Sequence, residues 1–273
     1  MKLFHYTTID ALALILDSKS IKFSRLDQLD DKMESEPFSD FNPLQYIFSA
    51  SFTDDEQESI PMWKMYANME TGIRIEFDSD TMFNPSIRSI IIPNHEHERA
   101  EFPPFIYSAV KANDILNSDY ALAYWNTKED DSICQCIKLK KISYINDFQD
   151  KYRSQISIIT SNENGNITRN IKYNPTDFGF YKNLYWSFQK EVRLLIYAIP
   201  FAKNNAEIDL IVANKRPLKS TFILVPLADK CLQTLTIVLS PKISQASRLI
   251  VKALLNKYPQ VKIIDSCLMN KIR

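Results

Sequence analysis

Hydrophobic and polar positions alternate at the start of the chain and then change to a helical spacing. Residues 2–7 predict a strand in which His5 and Thr7 share one face and Phe4 and Tyr6 share the other. The apolar residues that follow recur three and four positions apart. This spacing predicts a helix that begins directly after the strand and is capped by one of the two threonines at the strand's end.

The same two patterns continue along the chain and predict a mixture of strands and helices. Further strands are predicted at residues 21–24, 46–53, 72–78, 105–112, 192–197, 220–227, 235–240 and 261–268. Helices are predicted at residues 60–69, 117–130, 132–144 and 244–258. The acidic run 25–38 predicts a loop with a helical turn, and residues 159–170 form a polar segment without a predicted helix or strand. No strand–helix–strand unit repeats, so the pattern favours an α+β or mixed α/β fold.

Composition limits the possible functions. The chain has 273 residues, of which 45% are hydrophobic, and this predicts one large domain, or one domain with a substantial insertion. Its three glycines, Gly72, Gly165 and Gly179, are isolated. A Walker A loop, a dinucleotide fingerprint or a nucleophile elbow needs clustered glycines. Any nucleotide is therefore expected to bind without a glycine-rich loop.

Cysteine usage and hydropathy predict a reduced, cytoplasmic protein. The four cysteines are sparse and irregularly spaced, so no disulfide is expected. No apolar run approaches the roughly 20 residues of a membrane span, and the apolar stretch 11–16 is better interpreted as a helix than as a signal peptide. Cys134 and Cys136 form C-x-C, and the His95–Glu98 run misses H-E-x-x-H, so no metal site is predicted.

Charge is unevenly distributed. Residues 1–101 carry 9 basic and 19 acidic side chains, a net charge of −10, whereas residues 215–273 carry 11 basic and 2 acidic ones, a net charge of +9. One interpretation is that the two ends of the chain attract each other within one fold. The other is that the basic residues of 215–273 bind a phosphate-rich partner such as a nucleic acid.

Two polar pairs on predicted strands are candidate site residues. His5 and Thr7 fit a strand that lines a cleft, although a core histidine bonded to backbone fits the same pattern. Glu191 and Arg193 share one face of a strand whose other face is apolar. Glu191 is therefore either a catalytic acid at the head of a strand or one half of an internal ion pair with Arg193.

Aromatic residues on the predicted helix 60–69 form a third candidate group. Trp63 and Tyr66 both lie on this short helix, which leads into the predicted strand 72–78. Such residues are either part of the core or a surface on which a planar ring stacks in a cleft.

Several of these motifs occur together in a known family. The segments LFHYTTIDALALILDSKSIKFS, ASFT, MWKMYANMETGIRIEFD, WSFQKEVRLLIY and IVLSPKIS appear in the order typical of a bacterial family of unknown function, domain-of-unknown-function family twenty-nine seventy-one. Members resemble H-Y-T, M-W-x-x-Y-A, G-x-x-I-x-F-D and E-Y-R-L. The chain departs from this pattern at Val192, Ser240 and the run LDDKMESE, but keeps His5, Tyr66 and Glu191.

A more distant resemblance carries a functional expectation. H-x-T on a first strand, followed by a capped helix, resembles the start of ADP-ribosyltransferase-like domains, which bind NAD between two small sheets without a glycine-rich loop. Their site residues occur in the order of His5, Tyr66 and Glu191 here. The resemblance implies an α+β fold with a mixed two-sheet core, and a single domain over residues 1–273 with a helical insertion at about 85–175.

The resemblance also implies a mechanism. Cleavage of the nicotinamide–ribose bond builds positive charge on the sugar, which Glu191 would stabilise. His5 would hold a ribose hydroxyl or a phosphate with support from Thr7, and Tyr66 would stack against the nicotinamide. Trp63 would be a further NAD-binding residue, and Arg193 would orient Glu191 or meet the pyrophosphate. The sequence leaves two function classes open, which are an NAD-using enzyme of bacterial defence or toxin action and a non-catalytic binding module that keeps the fold.

Overall fold

Most of the strands that the structure describes join one large mixed sheet. A computed structural model describes residues 1–35, 42–83, 89–91, 99–101, 106–111, 121–122, 124–126, 133–163, 166–172, 177–199 and 220–272. Within these residues, one sheet has twelve strands and three further sheets have two strands each. This confirms the mixed α+β class. The described strands of the core form a single connected sheet, whereas two sheets were predicted.

The strands and helices have the following bounds. The strands are β1 (Lys2–Thr8), β2 (Ser20–Arg25), β3 (Ile47–Thr53), β4 (Gly72–Asp78), β5 (Ser89–Ile91), β6 (Arg99–Glu101), β7 (Ile106–Lys111), β8 (Ala121–Leu122), β9 (Tyr124–Asn126), β10 (Ile133–Lys141), β11 (Ser143–Tyr144), β12 (Ser157–Glu163), β13 (Asn166–Lys172), β14 (Tyr181–Lys182), β15 (Glu191–Ile199), β16 (Phe222–Pro226), β17 (Thr236–Leu239) and β18 (Lys262–Asp265). The α-helices are α1 (Ile9–Ser18), α2 (Lys32–Ser35), α3 (Ile60–Met62), α4 (Phe148–Arg153), α5 (Asp229–Gln233) and α6 (Gln245–Leu254). A π-helical turn follows α3 at Trp63–Ala67, and a 3₁₀ helix spans Leu184–Gln189.

The large sheet forks at β3. Its main path runs β18-β17-β4-β1-β3-β15-β10-β7. Along one edge of β3, every residue from Ile47 to Thr53 is paired with β15. Because a strand has only two edges, β1 and β2 must share the other edge of β3. In the described chain, β1 pairs with β3 only where Phe4 lies opposite Thr53, and β2 pairs through Ser24 and Arg25. β1 and β2 therefore begin two separate arms of the sheet, and β1 moves away from β3 beyond Phe4.

Helix α1 covers one face of the sheet and begins as predicted. The Thr8 hydroxyl accepts a hydrogen bond from the amide of Ala11, and Lys19 ends the helix in a left-handed conformation. Its apolar side chains, together with those of α6, join the main hydrophobic core. The residues of α1 and α6 in this core are Ile9, Leu12, Ile15, Leu16 and Val251.

The predicted helical insertion is wrong in the part of 85–175 that the structure describes. There the chain forms nine strands and only one helix, α4. Residues 133–141, predicted as helix, form β10, which pairs with β15 and β7. Ile133 and Ile137 lie four positions apart, which fits a helix, but Ile137 and Leu139 lie two positions apart, which fits a strand. Pairing with the neighbouring strands β15 and β7 decides in favour of the strand.

Two further predictions differ from the structure. Within 117–130, predicted as helix, residues 121–122 and 124–126 form β8 and β9. The polar segment 159–170 was not predicted to form strands, but its described residues lie on β12 and β13, which pair in antiparallel fashion. Among the described residues, no helix is both long enough and apolar enough to cross a membrane. Cys231 and Cys267 are free thiols, and the side chains of Cys134 and Cys136 fall outside the described ones.

Candidate active site

A cavity of about 170 Å³ opens where β1 and β3 separate. Its wall is assembled from β1, β3, the end of α3 and the π-helical turn after it, the loop before α2, β14, the 3₁₀ helix and the first residue of β15. The three predicted catalytic residues, His5, Tyr66 and Glu191, all line this one cavity. The fork of the sheet thus brings together side chains that are far apart in the sequence.

His5 sits in the gap between the separating strands. Its Nδ1 lies 2.9 Å from the carbonyl oxygen of Ser51 on β3. A carbonyl can only accept, so Nδ1 donates this bond and Nε2 of the neutral ring is left as an acceptor. Burial lowers the pKa of His5 although the bond to Ser51 acts in the opposite direction. His5 is therefore neutral at neutral pH.

Tyr66 presents a protonated phenol to the same cavity. It lies on the π-helical turn, and its oxygen accepts a hydrogen bond from the side-chain amide of Gln189. Burial raises the pKa of Tyr66 to about 12, and the negative charges of Glu191 and Asp30 add to this effect. The hydroxyl therefore keeps its proton and can donate it in a hydrogen bond.

Glu191 is held ionised by two cations. Its Oε1 accepts a hydrogen bond from Nε of Arg193 at 2.7 Å, and its Oε2 accepts one from Nζ of Lys182 at 2.8 Å. Burial by itself would raise the pKa of Glu191, but the charges of Arg193 and Lys182 outweigh it and lower the pKa to about 2. The carboxylate is thus both a cavity wall residue and a member of a buried ion-pair network.

Arg193 lies behind Glu191 rather than in the cavity wall. It is fully buried and forms a two-point ion pair with Glu34, with Nη1–Oε1 and Nη2–Oε2 distances of 2.6 and 2.9 Å. Nη1 also donates to the carbonyl of Gly179 at 3.0 Å. Two roles were predicted for Arg193, which were to orient Glu191 and to meet the pyrophosphate of NAD. Its buried position behind Glu191 fits the first of these roles.

Thr7 and Trp63 do not line the described cavity. Thr7 is buried on β1. Trp63 is fully buried, meets Tyr6 edge-on and donates its indole N–H to Glu58 at 2.9 Å. Trp63 therefore belongs to the core, which was the alternative interpretation of the aromatic pair.

Other wall residues were not recognised in the sequence. They are the aromatic residues Phe52 and Trp186 and the polar residues Asp30, Asp31, Lys182 and Gln189. The run LDD was interpreted as part of an acidic loop at which the chain departs from the family pattern. Trp186 and Gln189 lie in the family segment WSFQKEVRLLIY but were not chosen as site residues, and Lys182 precedes that segment without a known motif. The His95–Glu98 run lies outside the described residues, and among the described residues no group of three potential metal ligands occurs.

Comparison with known proteins identifies a family but no activity. The model of a family described as "Protein of unknown function (DUF2971)" matches residues 62–194, which include Tyr66, Glu191 and Arg193 and leave out His5. No curated protein and no solved structure matches the chain. Residues 62–194 of this chain thus match the model of the DUF2971 family, which is the family that the motifs of the sequence indicated.

Proposed function

We propose that this protein is an ADP-ribosyltransferase-like enzyme that uses NAD as a substrate and transfers ADP-ribose to an acceptor. The observation that carries the proposal is the shared cavity of His5, Tyr66 and Glu191 at the fork of the sheet. These three residues have the order found in the superfamily. Cytoplasmic location and a role in bacterial phage defence or toxin action are part of the same proposal. The location comes from the sparse, irregularly spaced cysteines, and the biological role comes from the resemblance alone.

The chemistry of the wall fits the nicotinamide end of NAD. The described wall carries three carboxylates, on Asp30, Asp31 and Glu191, against the single ammonium of Lys182. Such a wall favours a ligand that is positively charged. The nicotinamide ring of NAD is cationic, and its charge passes to the ribose as the bond between them breaks. Aromatic walls formed by Phe52 and Trp186 suit a flat ring.

Each of the three residues keeps a free hydrogen-bonding function for a ribose. Glu191 uses Oε1 for Arg193 and Oε2 for Lys182, and a carboxylate oxygen can accept more than one bond. His5 offers Nε2 as an acceptor for a sugar hydroxyl, and Tyr66 offers its O–H as a donor. Glu191 would stabilise the positive charge that develops on the sugar, since its own charge is already fixed by Arg193 and Lys182.

The Glu191→Gln variant tests this proposal. Glutamine keeps the size of the side chain but removes the charge, so nicotinamide release from NAD should fall roughly a hundredfold or more while NAD binding persists. Asp27→Asn is a matched control, because Asp27 forms a largely buried ion pair with Arg25 at 2.7 Å outside the described cavity wall. The control should lose stability but keep turnover.

A second candidate function is a non-catalytic binding module. It is favoured by the observation that all three candidate side chains already have protein partners, which are Ser51, Gln189 and the pair of Lys182 and Arg193. In that case Glu191→Gln would only destabilise the protein. Wild-type protein that binds NAD or another nucleotide without releasing nicotinamide would select this second function and reject the first.

A further inference from the structure

Asp31 is a buried carboxylate of the cavity wall. It has no role in the ADP-ribosyl transfer as described so far. It immediately precedes α2, is only 6% exposed and lines the cavity. Its Oδ1 accepts a hydrogen bond from the amide of Met33 at 3.1 Å. Its Oδ2 is out of contact with solvent and has no hydrogen-bond partner among the described residues. Buried polar atoms are rarely left in this state, because the loss of hydration is not compensated.

The cations near Asp31 are already used by other carboxylates. Lys182 binds Glu191, and Arg193 binds both Glu191 and Glu34. This network contains two positive and two negative side chains, so Asp31 is a surplus negative charge beside a balanced cluster. Burial raises the pKa of Asp31, Glu34 raises it further, and Lys182 and Arg193 lower it without cancelling the rise.

Several elements contribute titratable or charged groups that act on the pKa of Asp31 or share the cavity wall with it. They are Glu34 on α2, His5 on β1, Tyr66 on the π-helical turn, Lys182 on β14, and Glu191 and Arg193 on β15, together with the adjacent Asp30. Neutral His5 and the phenol of Tyr66 add no charge at neutral pH. Of the two buried carboxylates in the wall, Glu191 is locked in its charged form, and Asp31 is the one that can exchange a proton.

We propose that Asp31 is the general base of this site, which removes the proton from the N–H or O–H group of the acceptor. The proposal rests on the ADP-ribosyl transfer proposed above. A new bond forms between the acceptor atom and ribose C1′, and the bond from C1′ to the nicotinamide nitrogen breaks. The electron pair of that bond neutralises the ring, so nicotinamide leaves uncharged. The acceptor's proton passes to the Asp31 carboxylate and from there to solvent.

This assignment gives the two carboxylates different tasks. When the environments of two titratable groups drive their pKa values apart, one serves as a fixed charge and the other as the proton-exchanging group. Glu191 provides the fixed negative charge near the sugar. Asp31 provides a carboxylate that has no cation of its own and is therefore free to accept a proton.

Rescue by azide provides a direct test. With NAD and water as the acceptor, Asp31→Asn should release nicotinamide roughly a hundredfold more slowly than wild type, with little change in KM. Azide ion is a nucleophile without a proton to lose, so adding sodium azide should restore turnover in Asp31→Asn and yield ADP-ribosyl azide. Glu191→Gln should not be rescued, because it lacks the charge that stabilises the sugar. Asp17→Asn, on the exposed side of α1, is the matched control for removal of one aspartate charge.

A second readout does not depend on activity. Because the folded state holds the proton of Asp31 more tightly than the unfolded chain does, wild-type stability should fall as pH rises from about 4 through the raised pKa. Asp31→Asn lacks this loss, so its melting temperature should rise relative to wild type across the same interval. Asp31→Ser, whose hydroxyl can still accept from Met33, serves as a second variant if Asp31→Asn does not fold.

The possible results separate the two proposals. Wild-type protein that never releases nicotinamide overturns both the transferase function and the role of Asp31. Wild-type turnover that Asp31→Asn retains, or that azide fails to restore in it, overturns the role of Asp31 alone. A melting-temperature difference that is independent of pH also rejects it, because Asp31 would then have an ordinary pKa.

Discussion

At the scale of single residues, Glu191 illustrates how one side chain can serve both stability and chemistry. Its carboxylate balances Arg193 and Lys182 in a buried network and also lines the cavity. Removal of one member of such a network leaves a charge without compensation, and this is more costly than the net value of the pair. Stability and activity must therefore be measured on the same variants.

The acid sensitivity of the protein should depend on Glu191. Its pKa is about 2 in the folded state, against about 4.3 in an unfolded chain. The depressed value contributes stability that is complete above pH 4.3 and is lost as pH falls towards 2, a total of about 3 kcal/mol. At pH 7, Glu191→Gln should lower the free energy of unfolding by about 3–5 kcal/mol.

Urea unfolding of wild type and Glu191→Gln between pH 7 and pH 3 measures this effect. The difference between the two proteins should shrink as the pH falls, because protonation of Glu191 removes the same charge as the substitution. Glu70→Gln, at an exposed position, is the control and should show a small, constant difference. A pH-independent difference for Glu191→Gln would contradict the low pKa.

At the scale of elements, helix α4 organises the loop that holds Arg193. The Tyr152 hydroxyl oxygen lies 3.1, 3.1 and 2.8 Å from the amide nitrogens of Gly179, Phe180 and Tyr181, which donate to it. The carbonyl of Gly179 in turn accepts from Arg193. Gly179 has φ of +85°, a conformation that side chains with a Cβ rarely adopt. A single hydroxyl thus fixes a turn in contact with the ion-pair network.

Tyr152→Phe should destabilise the protein. It removes the acceptor for these amides, and each amide that stays away from water costs about 1–3 kcal/mol. Hydrogen exchange at residues 179–181 should accelerate, and the free energy of unfolding in urea should fall. Tyr185→Phe, in which the parent side chain is 81% exposed, should leave both measurements unchanged. Unaltered exchange at residues 179–181 in Tyr152→Phe would show that the turn does not depend on α4.

At the scale of the whole molecule, the charge asymmetry of the sequence persists on the surface. Lys242, Lys252, Lys257 and Lys262 are exposed on α6 and the strands and turns around it. Arg248 pairs with Asp265 from the same end of the chain. In the described parts, no ion pair joins a basic residue of 220–272 to an acidic residue of 1–83. This leaves the basic end available for a phosphate-rich partner, which remains a proposal.

Nucleic-acid binding by this end should depend steeply on salt. If Lys252 and Lys257 contact phosphates of a single-stranded RNA or DNA, replacing both by alanine should weaken binding and reduce the slope of log K against log salt by about 1.4. Fluorescence anisotropy with a labelled oligonucleotide measures both quantities. Lys2 and Lys19, exposed at the other end of the chain, provide the control pair. Absence of binding at low salt would favour charge compensation within the fold.

The local sequence pattern predicted the secondary structure correctly where a single short-range interaction determines it. Strand β1, the threonine cap of α1 and strand β15 follow from alternation, helical spacing and capping, which act between near neighbours in the chain. Residues 133–141 satisfied two patterns at once, and only their pairing with β15 and β7 decided between them. Order along the chain indicated His5, Tyr66 and Glu191, but not the distances or partners of these residues.

By itself, the sequence determined the mixed α+β class, the lack of a glycine-rich phosphate loop and the residue types available for a site. Only the tertiary structure decided that Glu191 lies between two cations, that Trp63 belongs to the core and that Asp31 lines the cavity. The physical reason is separation along the chain. Glu34 and Arg193 are 159 positions apart, and a contact of this kind depends on how the strands pair and fork, which no local periodicity records.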